Sequence, residues 1–404
     1  WEAEIAVDDD GIIQGVRGTM IHDHGAYTIQ GITLPYNAAA CIPGPYKVPH
    51  YRMGQKLAFT NMMPCAPVRG ASHPQGTFIM ERLMDRAARE LGIDRAEIRL
   101  RNMIPGDEMP YTKPLKTRAG INITYDSGDF PKAQKMTMEA AGYDDFAKRQ
   151  KAARAEGRYL GIGISFGVKG TGRGPFETAI VRIGTSGKIS VYTGAAAMGQ
   201  STRTMMAQVV AEQLGGDMEN VDVIAGDTQQ IPMGMGGFGS RQAITAGSSG
   251  HIAAVEVRKK ALKVAAHLLE ASEEDLEIDG KDIRVKGVPD MSVSLGQVAH
   301  AVAGTPGYAL PGGITPGMES TQNFLTDPLA YCYGAHICEV EADPETGGVK
   351  ILKYTITHDS GTLINPMIVT GQVTGGVAHG IVNAIFEWMG YDDDANPVTT
   401  NFGE

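Results

Sequence analysis

The stretch NPMIVTGQVTGGVAHGIVNAIFEW, residues 365–388, limits the fold more than any other. Asn365 offers an N-cap and Pro366 suits a first helical position, so the stretch reads as a helix. Its interior nonetheless holds Gly371, Gly375, Gly376 and Gly380, each costing ~1 kcal/mol relative to alanine. Gln372, Gly376, His379 and Asn383 fall on one face, and Val373, Val377, Ile381 and Trp388 on another. A helix with this many glycines lets something approach its backbone, either another helix or a buried cofactor.

Other helices announce themselves by apolar stripes. Met80, Leu83, Met84, Ala87, Ala88 and Leu91 mark one face of PQGTFIMERLMDRAAREL. Met206, Val209, Val210 and Leu214 do so in STRTMMAQVVAEQLGG, with Gly215 as the expected C-cap, and GHIAAVEVRKKALKVAAHLLEAS reads as a third long helix. Strands are expected in GKISVYTGAA, VDVIAG, DIRVKG, AHICEVEA and VKILKYTITH, where β-branched residues cluster between turn signals such as DPETGG. The charged, alanine-rich run at 146–165 marks a boundary. The expected class is therefore α+β, with one unit over residues 1–150 and another over 151–404, and no internal repeat.

A net charge of −10, with no long basic run, excludes the electrostatic footprint of a nucleic-acid binder and favours small-molecule chemistry. Cys41, Cys65, Cys332 and Cys338 form no C-x-x-C pair, which points away from a disulfide framework or structural zinc site and toward a reducing, cytoplasmic setting. No apolar run of ~18 residues suits a membrane span. The chain opens WEAEIAVDDDG, inside an expected strand and hairpin, and closes TTNFGE; both ends read as cuts in a longer polypeptide.

Several loops could carry chemistry. Gly234, Gly236 and Gly239 have the G-x-G-x-x-G spacing of a dinucleotide loop, yet DTQQIPM separates them from the strand VDVIAG, whereas a dinucleotide loop turns straight out of its strand. Upstream, a strand runs through small residues to Gly199 and Gln200, then to Ser201 or Thr202 as N-cap of a helix, an arrangement that offers amide donors to a phosphate or pterin. Arg69, Gly70 and Ala71 combine a guanidinium with approachable backbone just before another helix. His22 and His24 share one side of a strand without a third metal ligand, and Glu404 reads as a solvated chain end.

Together these blocks resemble the molybdenum-binding large subunit of the xanthine dehydrogenase, aldehyde oxidase and carbon monoxide dehydrogenase family. The resemblance covers nearly the whole chain, through HDHGAYT, IPGPYKVP, VRGASHPQGTFIMERLMDRAARELGIDRAEIRLRNMI, YDSGDF, AMGQSTRTMMAQVVAEQLG, GDTQQIPMGMGGFGSR and HDSGTLINPMIVTGQVTGGVAHG. It implies two elongated mixed α/β subdomains holding a molybdopterin cofactor, in its cytosine dinucleotide form, with molybdenum held by the pterin dithiolene and no metal ligand from the chain. Arg69, Gly70 and Ala71 would then lie near the metal and dithiolene, Gly199 and Gln200 at the pterin, Gly239, Ser240 and Arg241 on the phosphate side, and Gln372 at the pterin. The implied chemistry is hydroxylation of an electron-poor carbon with oxygen from water, a glutamate acting as base. Electrons pass to 2Fe-2S clusters and FAD on partner subunits or domains, which implies a hetero-oligomer.

The sequence departs from the family in places. The family's G-G-G-F-G-x-K segment belongs before Trp1, and the catalytic glutamate of its G-x-G-E motif belongs beyond Glu404. Ser201 replaces a usual glycine and His379 a usual glutamine. Gly70 stands where carbon monoxide enzymes carry a copper-binding cysteine, so N-heterocycles or aldehydes are the expected substrates. The competing readings are a non-catalytic relative and an NAD-dependent oxidoreductase.

Overall fold

The computed structural model describes residues 1–304, 310, 312–326 and 329–401. Its class is α+β, as expected. Two compact units emerge, neither continuous in sequence. The first comprises Trp1–Gly170, Ala330–Gly361 and Val377–Glu404; the second comprises Thr171–Leu329 and Thr362–Gly376. The chain thus stays in the first unit past residue 150 and later returns to it.

In the first unit, Glu2–Val7 alternates in exposure and pairs antiparallel with Ile13–Asp23, which in turn pairs parallel with Tyr51–Ala58. The helix His73–Leu91 buries Ile79, Met80, Met84, Ala87 and Ala88, much of the stripe read from its sequence. At Gly76 a Cβ would stand 2.5 Å from the Ala38 carbonyl oxygen, so glycine lets the helix Thr33–Cys41 cross closely. Beneath lies a buried polar cluster. Arg99 Nε donates to Glu81 Oε2 at 2.7 Å, and Tyr46 Oη donates to Glu81 Oε1 at 2.6 Å. A second sheet has the order Val349–Asp359, Ala330–Ala342, Tyr159–Thr171, so its central strand comes from far along the chain.

The second unit carries a sheet in the order Glu319–Leu325, Phe176–Ile183, Ile189–Thr193, Val221–Ala225. The last two strands are parallel and are joined through the helix Thr202–Gln213. The long helix Gly247–Leu269 turns Ala253, Ala254, Val257, Ala261, Val264 and Ala265 into the core. A three-stranded sheet and the helix Leu295–Ala301, closed by a Ser294/Gln297 capping box, complete the unit.

Pro366–Ile385 is a helix, and Asn365 caps it: Oδ1 accepts from the Ile368 amide at 3.1 Å. None of its residues is buried, and open space lies beside Gly371, Gly375, Gly376 and Gly380. It ends before Trp388, which the sequence placed on its apolar face. No helix among the described residues is long and apolar enough to cross a membrane.

Candidate cofactor-binding site

Two loops of the second unit leave the carboxyl ends of its neighbouring parallel strands, the edge of such a sheet where ligands commonly bind. The first follows Ile189–Thr193 and runs into the helix Thr202–Gln213; the second follows Val221–Ala225 and runs to Arg241. The immediate strand-to-loop-to-helix geometry expected of a phosphate loop belongs to Gly199 and Gln200. The G-x-G-x-x-G stretch lacks it, being well removed from its strand. The loops touch where Gly194 meets Gly234: a Cβ on either would stand 2.6 Å from the other's Cα.

Gln242 ties them together. Its Oε1 accepts from Thr202 Oγ1 at 2.5 Å and from Gln200 Nε2, while its Nε2 donates to the Ala196 carbonyl at 2.8 Å. Gln200 Oε1 in turn accepts from the Met198 amide at 2.5 Å. The Gln200 carboxamide is therefore turned into the loop. By contrast, the amides of Gly199, Gln200 and Ser201 donate to no acceptor among the described residues, and Gly199, with φ 87°, has open space where a side chain would be. Together with the helix start these donors fit an anion or a polar heterocycle. Ser201 precedes the helix in left-handed backbone and makes no side-chain cap, so the capping bond expected from its hydroxyl is absent.

Arg241 is fully buried. Its Nη1 donates to Glu177 Oε2 at 2.7 Å and to the Gly236 carbonyl at 2.8 Å, Nε donates to the Arg173 carbonyl at 2.7 Å, and Nη2 donates to the Phe176 carbonyl. The guanidinium thus organises from within the loop that the family resemblance puts on the phosphate side. The loop exposes the side chains of Met233, Met235 and Phe238 together with backbone: open space lies beside Gly236, Gly239 and Ser240 are left-handed, and Ser240 is exposed. After Arg241 the chain makes a π turn, Gln242–Ala246, a rare form often found at functional sites. Gln372 is half-buried on its helix, whose start is clamped where Asn365 Nδ2 donates to Gln208 Oε1 at 2.9 Å.

In the first unit, Gly70, Ala71 and Ser72 are left-handed in succession, with φ 110°, 46° and 73°, and Arg69 is exposed. The turn is closed by the Ala71 amide on the Val68 carbonyl at 2.9 Å and the His73 amide on the Gly70 carbonyl at 3.1 Å. The preceding stretch is held by the HDH motif. Asp23 Oδ1 accepts from the Gly25 amide and Thr60 Oγ1, which hold its carboxyl below the usual range, and the Cys65 amide donates to the His24 carbonyl at 3.1 Å. His22 and His24 do share a side, with ring centroids 4.8 Å apart, and burial pushes His22 below the usual imidazole range. No three His, Cys, Asp or Glu residues among those described could hold a metal ion. Glu404 lies outside the described residues.

Of the six non-glycine residues described with left-handed backbone, four lie in these loops: Ala71, Ser72, Ser201 and Ser240. Such conformations cost of order 1–3 kcal/mol each and cluster at ligand sites. Sequence reading missed Gln242 and Glu177. Glu177 had a signal: it occupies the inward register shared by Ala179, Val181 and Ile183, where a carboxylate needs a partner.

A family profile described as a molybdopterin cofactor-binding domain matches residues 136–404, and a second with the same description matches residues 1–103. The chain is 35% identical over 405 residues to the 6-hydroxypseudooxynicotine dehydrogenase complex subunit gamma of Paenarthrobacter nicotinovorans, covering 99% of this chain and 50% of that one. Among solved structures, quinoline 2-oxidoreductase from Pseudomonas putida 86 superposes with a TM-score of 0.88 at 33% identity, over 98% of this chain and 51% of that chain. CO dehydrogenase from Oligotropha carboxidovorans gives 0.88 at 30% identity, over 100% and 51%. The chain spans about half the length of the curated relatives it matches.

Proposed function

Because this chain belongs to the molybdopterin cofactor-binding family of molybdenum hydroxylase large subunits, we propose that it binds the cytosine dinucleotide form of molybdopterin and, within its complete subunit, hydroxylates an N-heterocycle or aldehyde with oxygen from water. The observation that carries this reading is the concentration of left-handed, non-glycine backbone in the three loops, two of them ending at unpaired amides or exposed backbone beside one sheet edge. The bound group supplies two-electron redox chemistry at molybdenum. The protein's part is to bind and orient it.

In this reading the amides of Gly199 and Gln200 face the pterin, the backbone of Gly239 and Ser240 faces the phosphates with Arg241 bracing them from inside, and Gln372 reaches the pterin. Arg69, Gly70 and Ala71 lie toward the dithiolene, the small side chains leaving room for a flat ring. Relatives named for nicotine derivatives and quinoline support an N-heterocycle. Partner subunits carrying 2Fe-2S clusters and FAD take the electrons, in a cytoplasmic hetero-oligomer whose catalytic glutamate is supplied by sequence outside this chain. Two successive family matches, at 1–103 and 136–404, support two cofactor-binding segments in chain order, proposed here as residues 1–150 and 151–404, while the compact units interleave in sequence.

The test is metal and pterin analysis of the purified complex, followed by turnover of N-heterocycles and aldehydes with an artificial electron acceptor. About one molybdenum and one cytosine nucleotide per chain are expected. Mature complex without molybdenum, or with bound NAD in its place, sinks the proposal.

A further inference from the structure

The sheet of Tyr159–Thr171, Ala330–Ala342 and Val349–Asp359 turns Tyr333, Ala335 and Ile337 into the core of the first unit. Side chains alternate along a strand, so Gly334, His336 and Cys338 belong to the opposite face. Gly334 pairs with His358, His336 with Ile356 and Cys338 with Tyr354, which places both histidines on that face as diagonal neighbours. His336 Nε2 lies 3.2 Å, and His358 Nδ1 3.5 Å, from the point a Cβ on Gly334 would occupy. Gly334 does not have left-handed backbone, so what glycine contributes here is the space between two converging nitrogens, bordered also by the Thr357 carbonyl oxygen at 3.3 Å. A glycine inside a strand often marks such a close approach.

Tyr354 Oη lies 3.0 Å from His336 Nδ1, with the rings edge to face at 5.9 Å. When Nδ1 donates its proton to Oη, the Nε2 lone pair faces the gap above Gly334. Burial, aided by His358, pushes His336 down to about 4, and burial also lowers His358, so both rings are neutral at pH 7.

We propose that His336 Nε2 and His358 Nδ1 form a two-histidine site for a divalent transition-metal ion such as Cu²⁺ or Zn²⁺, seated over Gly334 with water completing its coordination. Neutral imidazole suits these ions, and a second hydrogen bond from a ligating ring, here to Tyr354, is the usual support. His358 is exposed, so the ion can enter. No third His, Cys, Asp or Glu converges among the described residues, and the remaining protein oxygen at the gap is the neutral Thr357 carbonyl, 3.3 Å from the same point, so the ion stays exchangeable.

The test titrates the metal-free purified protein with Zn²⁺ by calorimetry and with Cu²⁺ by electron paramagnetic resonance. Gly334→Ala keeps both imidazoles and fills the gap; it should weaken the site about tenfold or more, as should His358→Gln at the exposed position, while Tyr354→Phe should weaken it several-fold. The Cu²⁺ spectrum should show coupling to two imidazole nitrogens, reduced to one in His358→Gln. Circular dichroism of each variant separates lost binding from lost folding. Unchanged affinity and an unchanged spectrum in folded Gly334→Ala and His358→Gln overturn the site.

Discussion

Glu177 and Arg241 meet at 2.7 Å with both side chains wholly removed from solvent, so a complete charge pair supports the glycine-rich loop from within. Removing one member leaves the other charge buried alone, at a cost of about 3–5 kcal/mol. Arg241→Met should therefore lower stability by that order, and Glu177→Gln, which keeps an acceptor for the guanidinium, by less. Denaturant titration of both variants checks this; a loss below about 1 kcal/mol in Arg241→Met contradicts the role.

Gln242 stands at the end of the second loop and its carboxamide bonds only to the first loop and the helix start that follows it, yet it has no charge to strand. Gln242→Ala should cost only about 1–3 kcal/mol of stability while sharply reducing molybdenum and pterin content in the purified complex. Full cofactor occupancy in this variant would argue that the loops hold their geometry without it.

Ala71 has φ 46°, flanked by two further left-handed residues. Ala71→Gly should leave stability unchanged or raise it by up to ~1 kcal/mol, and Ala71→Val should lower it by about 1–2 kcal/mol, because a branched Cβ resists this backbone. Equal unfolding midpoints for the two variants would show that the strain is absent in solution.

Lys113 is buried, with Nζ donating to the Gly44 and Tyr46 carbonyls at 2.7 and 3.2 Å, and burial pushes it down to about 7. The unfolded chain keeps that proton up to the ordinary lysine value of 10.5. Between these values the unfolded state binds more protons, so this group's contribution makes stability rise with pH from about 7 to 10.5 and flatten below. The span is of order 5 kcal/mol. Lys113→Met should lose this slope in denaturation series from pH 7 to 9.5. Parallel pH curves for the two proteins would rule the effect out.

How much of this was legible beforehand depended on distance along the chain. The stripe Met80–Met84–Ala87–Ala88, the cap at Asn365 and the side shared by His22 and His24 follow from local spacing and stand in the structure. The direction of Arg241 did not follow from spacing, because its burial is decided by Glu177, far upstream in sequence. Ser201 looked like a hydroxyl cap, but its left-handed backbone leaves that bond unmade. The π turn at Gln242 depends on contacts with the other loop, which no local pattern encodes. Strand order was equally hidden: nothing near Tyr159 announces that its partner begins at Ala330.

That last pairing bears on how the protein is made. While the ribosome adds the residues between Gly170 and Ala330, the strand Tyr159–Thr171 waits without its neighbour. At about 5–20 residues per second the wait lasts roughly ten to thirty seconds. During that time the strand's unpaired N–H and C=O groups and its apolar face stand open to wrong pairings until the later half of its sheet emerges.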